Sequence, residues 1–181
     1  MQTITNIDFE MLNYIHEHFS CSILDFLMPK ITFLGNGGLI WIITAIVMMS
    51  LRKYRKTGIV IGTALILCGI TGNILLKNLI ARERPCWLNE TVQMLISIPK
   101  DYSFPSGHTM SSFASATVLT HYERKKGIAA CILAAMIAFS RLYLYVHFPT
   151  DILAGMLIGI VIGLSVCKIS DIHYQKKAQQ K

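Results

Sequence analysis

Charged side chains are scarce in this chain. They make up 15% of its 181 residues, where a soluble domain carries about 25%. With a hydrophobic fraction of 53% and a mean hydropathy of +0.51, that shortage argues against an ordinary water-soluble domain. Cysteines are few and badly spaced for cross-linking. Cys68, Cys131 and Cys167 lie inside apolar runs, and Cys21 and Cys86 stand alone. There is no CxxC and no Cys/His pair at zinc spacing, so neither a disulfide framework nor a structural zinc site is expected. The first twenty residues hold Asp8, Glu10 and Glu17 but no Lys or Arg. A secretory signal peptide opens on a basic region, so targeting is expected to come from the apolar segments themselves. The net charge of +7 sits in short basic runs between apolar segments and in the tail. That is the pattern of cytoplasmic loops, and it argues against nucleic acid as a partner. Repeats, linkers and low-complexity stretches are missing too, which leaves one domain over residues 1–181 and no implied protein partner.

What the chain does have is a series of apolar runs. Residues 7–19 alternate Ile7, Phe9, Met11, Leu12, Ile15 and Phe19 with acids and histidines, which predicts a short amphipathic helix on the membrane surface. Ser22–Leu34 holds Asp25, Pro29 and Lys30 and is expected to be a short, tilted or partly buried span. Gly35-Asn36-Gly37-Gly38 predicts a turn, after which Leu39–Leu51 is expected to return across the membrane. Gly58–Leu76 runs 19 residues without a charge, close to the roughly 20 needed to cross. Val92–Ile98 is too short to span and is expected to form a small surface helix. Thr109–Thr120, Gly127–Val146 and Ile152–Ile169 complete the set. In the last, Gly155, Gly159 and Gly163 recur at four-residue spacing and predict one face packed on a neighbouring helix.

The expected fold is therefore all-α, a polytopic membrane bundle of about six spans. Arg52–Lys56, Arg124–Lys126 and the basic tail then share one face with both termini, and the positive-inside rule makes that face cytoplasmic. The polar clusters fall on the other rim, and ionisable residues beside spans are functional candidates by default. Lys77, Arg84 and Arg141 can clamp phosphate oxygens, the guanidinium forks meeting two oxygens at once. Pro105-Ser106-Gly107-His108 precedes a span: Ser106 can cap the helix, Gly107 admits a close ligand, and the free N–H groups there form an anion site. His108 is then placed to act as general acid. If the chain is helical across them, His147 and Asp151 share a face, so the carboxylate can hold one imidazole nitrogen and leave the other to attack. Arg82 is a fourth candidate cation, expected either behind the phosphate-binding residues or on the surface, where it could pair with Glu83 or a lipid headgroup.

Lys77 with Arg84-Pro85, then Pro105-Ser106-Gly107-His108, then Ser140-Arg141 with His147 and Asp151 resemble the three signature motifs of the type 2 phosphatidic acid phosphatase superfamily, in order and with the expected spacing. The resemblance implies that Lys77, Arg84, Ser106, Gly107 and Arg141 bind phosphate. It implies that His147 forms a phosphohistidine, that Asp151 orients it, and that His108 protonates the leaving group and then activates water. Ser140 would support the site, with Pro85 and Pro105 shaping it, and no metal or other cofactor is implied. Many relatives carry Gly two residues before the nucleophile, where this chain has Tyr145. A tyrosine cannot serve as a close-approach backbone site, so Tyr145 is expected to line the lipid path or to sit at the interface.

The expected activity is that of a cell-membrane lipid phosphatase with an extracytoplasmic site. The favoured substrate is undecaprenyl diphosphate, with phosphatidylglycerophosphate and phosphatidic acid close behind. A vanadate-dependent haloperoxidase would share the anion pocket but is soluble. A non-catalytic lipid-phosphate or anion transporter would hold its polar residues near the midplane rather than at one rim.

Overall fold

Small residues decide which helices can touch. In the computed structural model, which describes residues 2–179, helix α9 (Pro149–Gln179) lays its glycine stripe directly on the backbone of α7 (Gly107–Tyr122). A Cβ on Gly155, Gly159 or Gly163 would lie 2.7, 2.4 or 2.9 Å from the carbonyl oxygen of Ser106, Met110 or Ala114. The expected packing face is thus real, and α7 is its partner. The Ser, Thr and Ala content of α7 serves the same end, since small side chains let neighbours approach on several sides. Helices α8 (Arg124–Tyr143) and α4 (Arg55–Cys68) close around it, so α7 forms the buried axis of the bundle. Ala114, Ala116, Val118, Ile61, Ala134 and Ile137 make up much of the core. Large apolar side chains such as Ile23, Ile66, Leu79 and Ile169 face outward, as expected of a lipid-facing belt.

The first half of the chain departs from expectation. Helix α1 (Gln2–Phe19) is longer than predicted. Helices α2 (Ser22–Leu34) and α3 (Leu39–Ser50) do flank a turn, with Gly37 and Gly38 at φ +57° and +76°. That turn bends the chain by only 44° and does not reverse it. Leu39–Leu51 therefore continues the course of α2 instead of returning. Among the described residues, three helical segments are long and apolar enough to span, or four if the bent pair counts as one.

Helix α4 does not run straight into Lys77. Gly69–Leu76 forms an eight-residue π-helical stretch before α5 (Lys77–Ile80). The wider turn sits where Gly72 meets Met110 and Asn73 meets Gly107, and such bulges mark functional sites often. A short α6 (Pro85–Leu88) follows, with Pro85 in its first turn. Val92–Ile98 forms no helix. Val92, Met94 and Ile96 turn inward while Gln93, Leu95 and Ser97 face out, the period-two pattern of an extended chain.

The ends of the bundle are distinct. Lys56, His121 and Tyr122 gather on Asp171 at one end. At the other, Asp8 of α1 reaches Arg82 and Thr150. The two terminal helices therefore make these polar contacts at opposite ends of the bundle.

Replacing Gly159 with Leu should lower the thermal midpoint in detergent by several degrees, since overpacking against backbone costs about 1–3 kcal/mol. Gly62→Leu is the control, because nothing lies within 4 Å of its Cβ position. Equal midpoints for the two variants would contradict the close α7–α9 contact.

Candidate active site

Five of the sequence-predicted residues line one cavity of about 420 Å³: Lys77, Arg84, His108, Arg141 and His147. They come from α5, the segment before α6, α7, α8 and the loop between α8 and α9. Arg84 is fully enclosed. Its Nη1 donates to the Val146 carbonyl at 2.6 Å and stands 3.1 Å from His147 Nε2, while its Nε donates to the Asp101 carbonyl at 2.7 Å. A guanidinium can only donate, so Nε2 carries a lone pair and the ring proton belongs on Nδ1.

That proton faces Asp151 and Ser103. Nδ1 lies 3.6 Å from Asp151 Oδ2 and 3.4 Å from Ser103 Oγ, and Ser103 also hydrogen-bonds Asp151 Oδ2. The Phe148 N–H donates to the same carboxylate oxygen at 2.9 Å. His147 precedes α9, so the pair does not share a helical face as supposed; the turn at Phe148 and Pro149 brings the two together. Burial holds the His147 imidazole well below its ordinary value, and the charges of Arg84, Arg141 and Lys77 push the same way against Asp101. The ring is neutral where free imidazole would be titrating, as a nucleophile requires.

Asp101 is the carboxylate the sequence did not single out. It pairs with Lys77 and, at 2.9 Å, with Arg84 Nη2, although its own side chain is 56% exposed. Burial raises its pKa, but the Lys77 hydrogen bond and the charges of Arg84 and Lys77 outweigh that and bring it down to about 2. Arg141 is only 3% exposed and donates from Nη1 to Thr32 Oγ1 at 2.6 Å. Its buried Nε has no partner, a deficit of about 1–3 kcal/mol that an anion would relieve. His108 Nε2 lies 2.9 Å from Asn36 Oδ1. A Cβ on Gly35 would sit 2.7 Å from the His108 ring, so the turn glycine lets this contact form.

Other expected residues have local duties. Ser106 Oγ caps α7, accepting from Thr109 N–H at 3.4 Å and Thr109 Oγ1 at 2.9 Å. Ser140 Oγ donates to its own helix at Ile137. Pro85 and Pro105 are buried beside the site. Tyr145 lines no lipid path. It is 1% exposed, and its hydroxyl donates to Asn13 at 2.6 Å. Its φ is +57°, the left-handed region, at a cost of about 1–2 kcal/mol for a side chain; a glycine at that place would meet no such cost. Arg82 does not pair with Glu83. It binds Asp151 and Asp8. Asp101, Ser103, Asn36, Thr32 and Asp8 were missed, because each is an ordinary polar residue in a turn, loop or helix with no spacing to flag it.

A second cavity of about 500 Å³ shares Lys77, Asp101 and His108 with the first. Away from them it becomes apolar, running between Ile42, Ile46 and Met49 of α3 and Leu65 and Ile66 of α4. Ile42, Ile46 and Ile66 are exposed, so this groove reaches the outer surface of the bundle.

The sequence profile of the PAP2 superfamily matches residues 57–174. The chain is 30% identical over 168 residues to the undecaprenyl-diphosphatase BcrC of Bacillus subtilis, covering 92% of this chain and 86% of that protein. The crystal structure of Aquifex aeolicus LpxE aligns with a TM-score of 0.72 at 31% identity, over 88% of this chain and 94% of that one. A transmembrane PAP2 type phosphatidylglycerolphosphate phosphatase from Bacillus subtilis gives the same TM-score at 26% identity, over 94% and 88%.

Asp101 occupies donors that an incoming anion would need. Asp101→Asn should therefore tighten inorganic phosphate binding by about two- to fivefold, the size of a solvent-screened ion pair, read as the inhibition constant of phosphate. Weaker phosphate binding in the variant would mean that Asp101 chiefly holds Lys77 and Arg84 in place.

Proposed function

The chain belongs to the PAP2 superfamily, and we propose that it is a membrane lipid phosphatase that releases the terminal phosphate of undecaprenyl diphosphate. One observation carries this reading. Three cations and a neutral, enclosed histidine line a cavity that continues into an apolar groove reaching the bundle surface. The headgroup would sit among Lys77, Arg84 and Arg141, with the isoprenoid tail along α3 and α4. BcrC, matched over nearly the whole chain, bears the name of that activity. The runner-up substrate is phosphatidylglycerophosphate, on the likeness to the Bacillus subtilis phosphatase structure.

The chemistry follows from the side-chain placements. His147 Nε2 attacks the terminal phosphorus, forming an N–P bond as the P–O bond to the leaving group breaks. His108 gives its proton to that leaving oxygen. Lys77, Arg84 and Arg141, with the Gly107 N–H at the start of α7, hold the charge that builds on the phosphoryl oxygens. Ser106 keeps that helix start in shape. Asp151 and Ser103 hold Nδ1–H and offset the positive charge of the phosphorylated ring. In the second half, His108 takes a proton from water, which displaces His147 and releases phosphate. No step calls on a metal.

The protein lies in the membrane, and we read its sidedness from the basic clusters. Arg52–Lys56 and Arg124–Lys126 sit at the end away from the cavity, so the positive-inside rule puts the cavity on the extracytoplasmic side. A 44° bend suits one bent crossing by α2 and α3 better than two. With α4–α5, α7, α8 and α9, that makes five crossings, an N-terminus outside and a C-terminus inside. On this reading α1 lies at the outer surface with Ile7, Met11 and Tyr14 toward lipid, all three being exposed.

The test is phosphate release in detergent with chelator present, from undecaprenyl diphosphate, phosphatidylglycerophosphate and phosphatidic acid. Wild type should hydrolyse the first best. His147→Ala should abolish turnover, and Arg141→Lys should lower kcat/KM by about tenfold or more, because the charge stays but the fork is lost. Release that persists in His147→Ala would refute the proposed nucleophile. No release from any of the three lipids by folded wild type would favour a non-hydrolytic lipid-phosphate carrier.

A further inference from the structure

Helix α1 spends its best-buried polar position on a carboxylate. Asp8 is 1% exposed, on a helix whose Ile7 and Met11 face outward. A buried charge is costly unless paired, and an apolar side chain there would pack without that cost. The pairing leads straight to the nucleophile. Asp8 Oδ2 accepts from Arg82 Nη2 at 2.6 Å and from Thr150 Oγ1 at 2.5 Å, and Asp8 Oδ1 accepts from the Thr150 N–H at 3.1 Å. Arg82 Nη1 donates in turn to Asp151 Oδ1 and to Thr150 Oγ1, both at 2.7 Å. Its guanidinium carbon lies 4.1 Å from the centre of the Phe148 ring, which packs nearly perpendicular to Phe9 of α1. Asp8 and Phe9 thus grip Thr150 and Phe148, the two residues that flank Pro149 just after His147.

We propose that Asp8 and Arg82 are positioning residues for the phosphoryl transfer, α1 acting through Arg82 on the Asp151 carboxylate that holds His147. This rests on the reading of His147 as nucleophile.

The two oxygens of Asp151 divide the work. Oδ2 faces His147 Nδ1, Ser103 and the Phe148 N–H, while Oδ1 faces Arg82. Arg82 therefore fixes the half of the carboxylate that the histidine does not see. Asp8 matters because it shares the charge of Arg82. Without it, the whole guanidinium charge falls on Asp151, just when Asp151 must offset the positive charge that grows on the imidazole. That charge exists only once the N–P bond starts to form, so the effect belongs to the transition state. Neither Asp8 nor Arg82 lines the cavity, so substrate binding is not what they set.

The experiment measures kcat and KM for undecaprenyl diphosphate in detergent micelles, per monodisperse enzyme. It uses wild type, Asp8→Asn, Arg82→Gln, the double variant and His147→Ala. Asp8→Asn should lower kcat by about tenfold with KM within about twofold, the size of one charge-assisted hydrogen bond made in the transition state. In the Arg82→Gln background, the same Asp8→Asn change should have no further effect, because Asp8 acts through the guanidinium. Unchanged kcat in Asp8→Asn, a loss confined to KM, or additive losses in the double variant would overturn the proposal and make α1 a structural brace only. Those results beside an inactive His147→Ala leave the reading of the site intact. An active His147→Ala, or a wild type without turnover, overturns both.

Discussion

Three cations are buried at one rim of an apolar bundle with a single half-exposed carboxylate between two of them. Everything else at the site depends on that imbalance. Lys77 and Arg84 share Asp101, and Arg141 keeps a buried Nε with no partner. Isolated charge in such a place is expensive, so the cluster is most comfortable with an anion bound. The same positive field, added to burial, keeps His147 neutral. One arrangement therefore both favours a bound anion and keeps His147 Nε2 unprotonated. On the proposed function, the phosphate clamp and the nucleophile are one electrostatic unit.

The cations lie far apart in sequence, and the fold's job is to hold them on one rim. Backbone-close packing of α7 against the α9 glycines sets the height of the Ser106–His108 turn relative to Asp151. The π-helical stretch before Lys77 resets the direction of its side chain. The Gly35–Gly38 bend lets α2 deliver Thr32 to Arg141 while Asn36 reaches His108. The loop after α6 is extended and returns Asp101 and Ser103 to the cavity. Tyr145 adopts a left-handed backbone two residues before His147 and is tied to α1 through Asn13. The N-terminal helix is thus joined to the site by both a hydrogen bond and an ion-pair chain.

Much of this was legible in the sequence, because the strongest signals were chemical. Charge is rare in apolar segments, so Lys77, Arg84, Arg141, His108 and His147 stood out, and all five meet in one cavity. The glycine stripe of α9 was equally plain, since four-residue spacing has one geometric meaning on a helix. Direction was harder to read. The glycines at 35–38 announce a turn, but nothing in them distinguishes a 44° bend from a reversal. The expected return of Leu39–Leu51 across the membrane hung on that distinction. The partners Asp101, Ser103 and Asn36 were hidden because polar loop residues are the norm, and only tertiary contact separates a working one from a solvated one. Arg82 could be read as supporting the site or as a surface residue, and the pairing with Glu83 fails because its neighbour in sequence is not its neighbour in space.

The most direct measurement is to quench the enzyme with alkali during turnover of a lipid phosphate and locate protein-bound phosphate by mass spectrometry. An alkali-stable, acid-labile phosphate on His147 is the expected result, absent from His147→Ala. Turnover with phosphate on His108 instead, or with no phosphoenzyme at any time in the first turnover, would contradict the covalent route through His147.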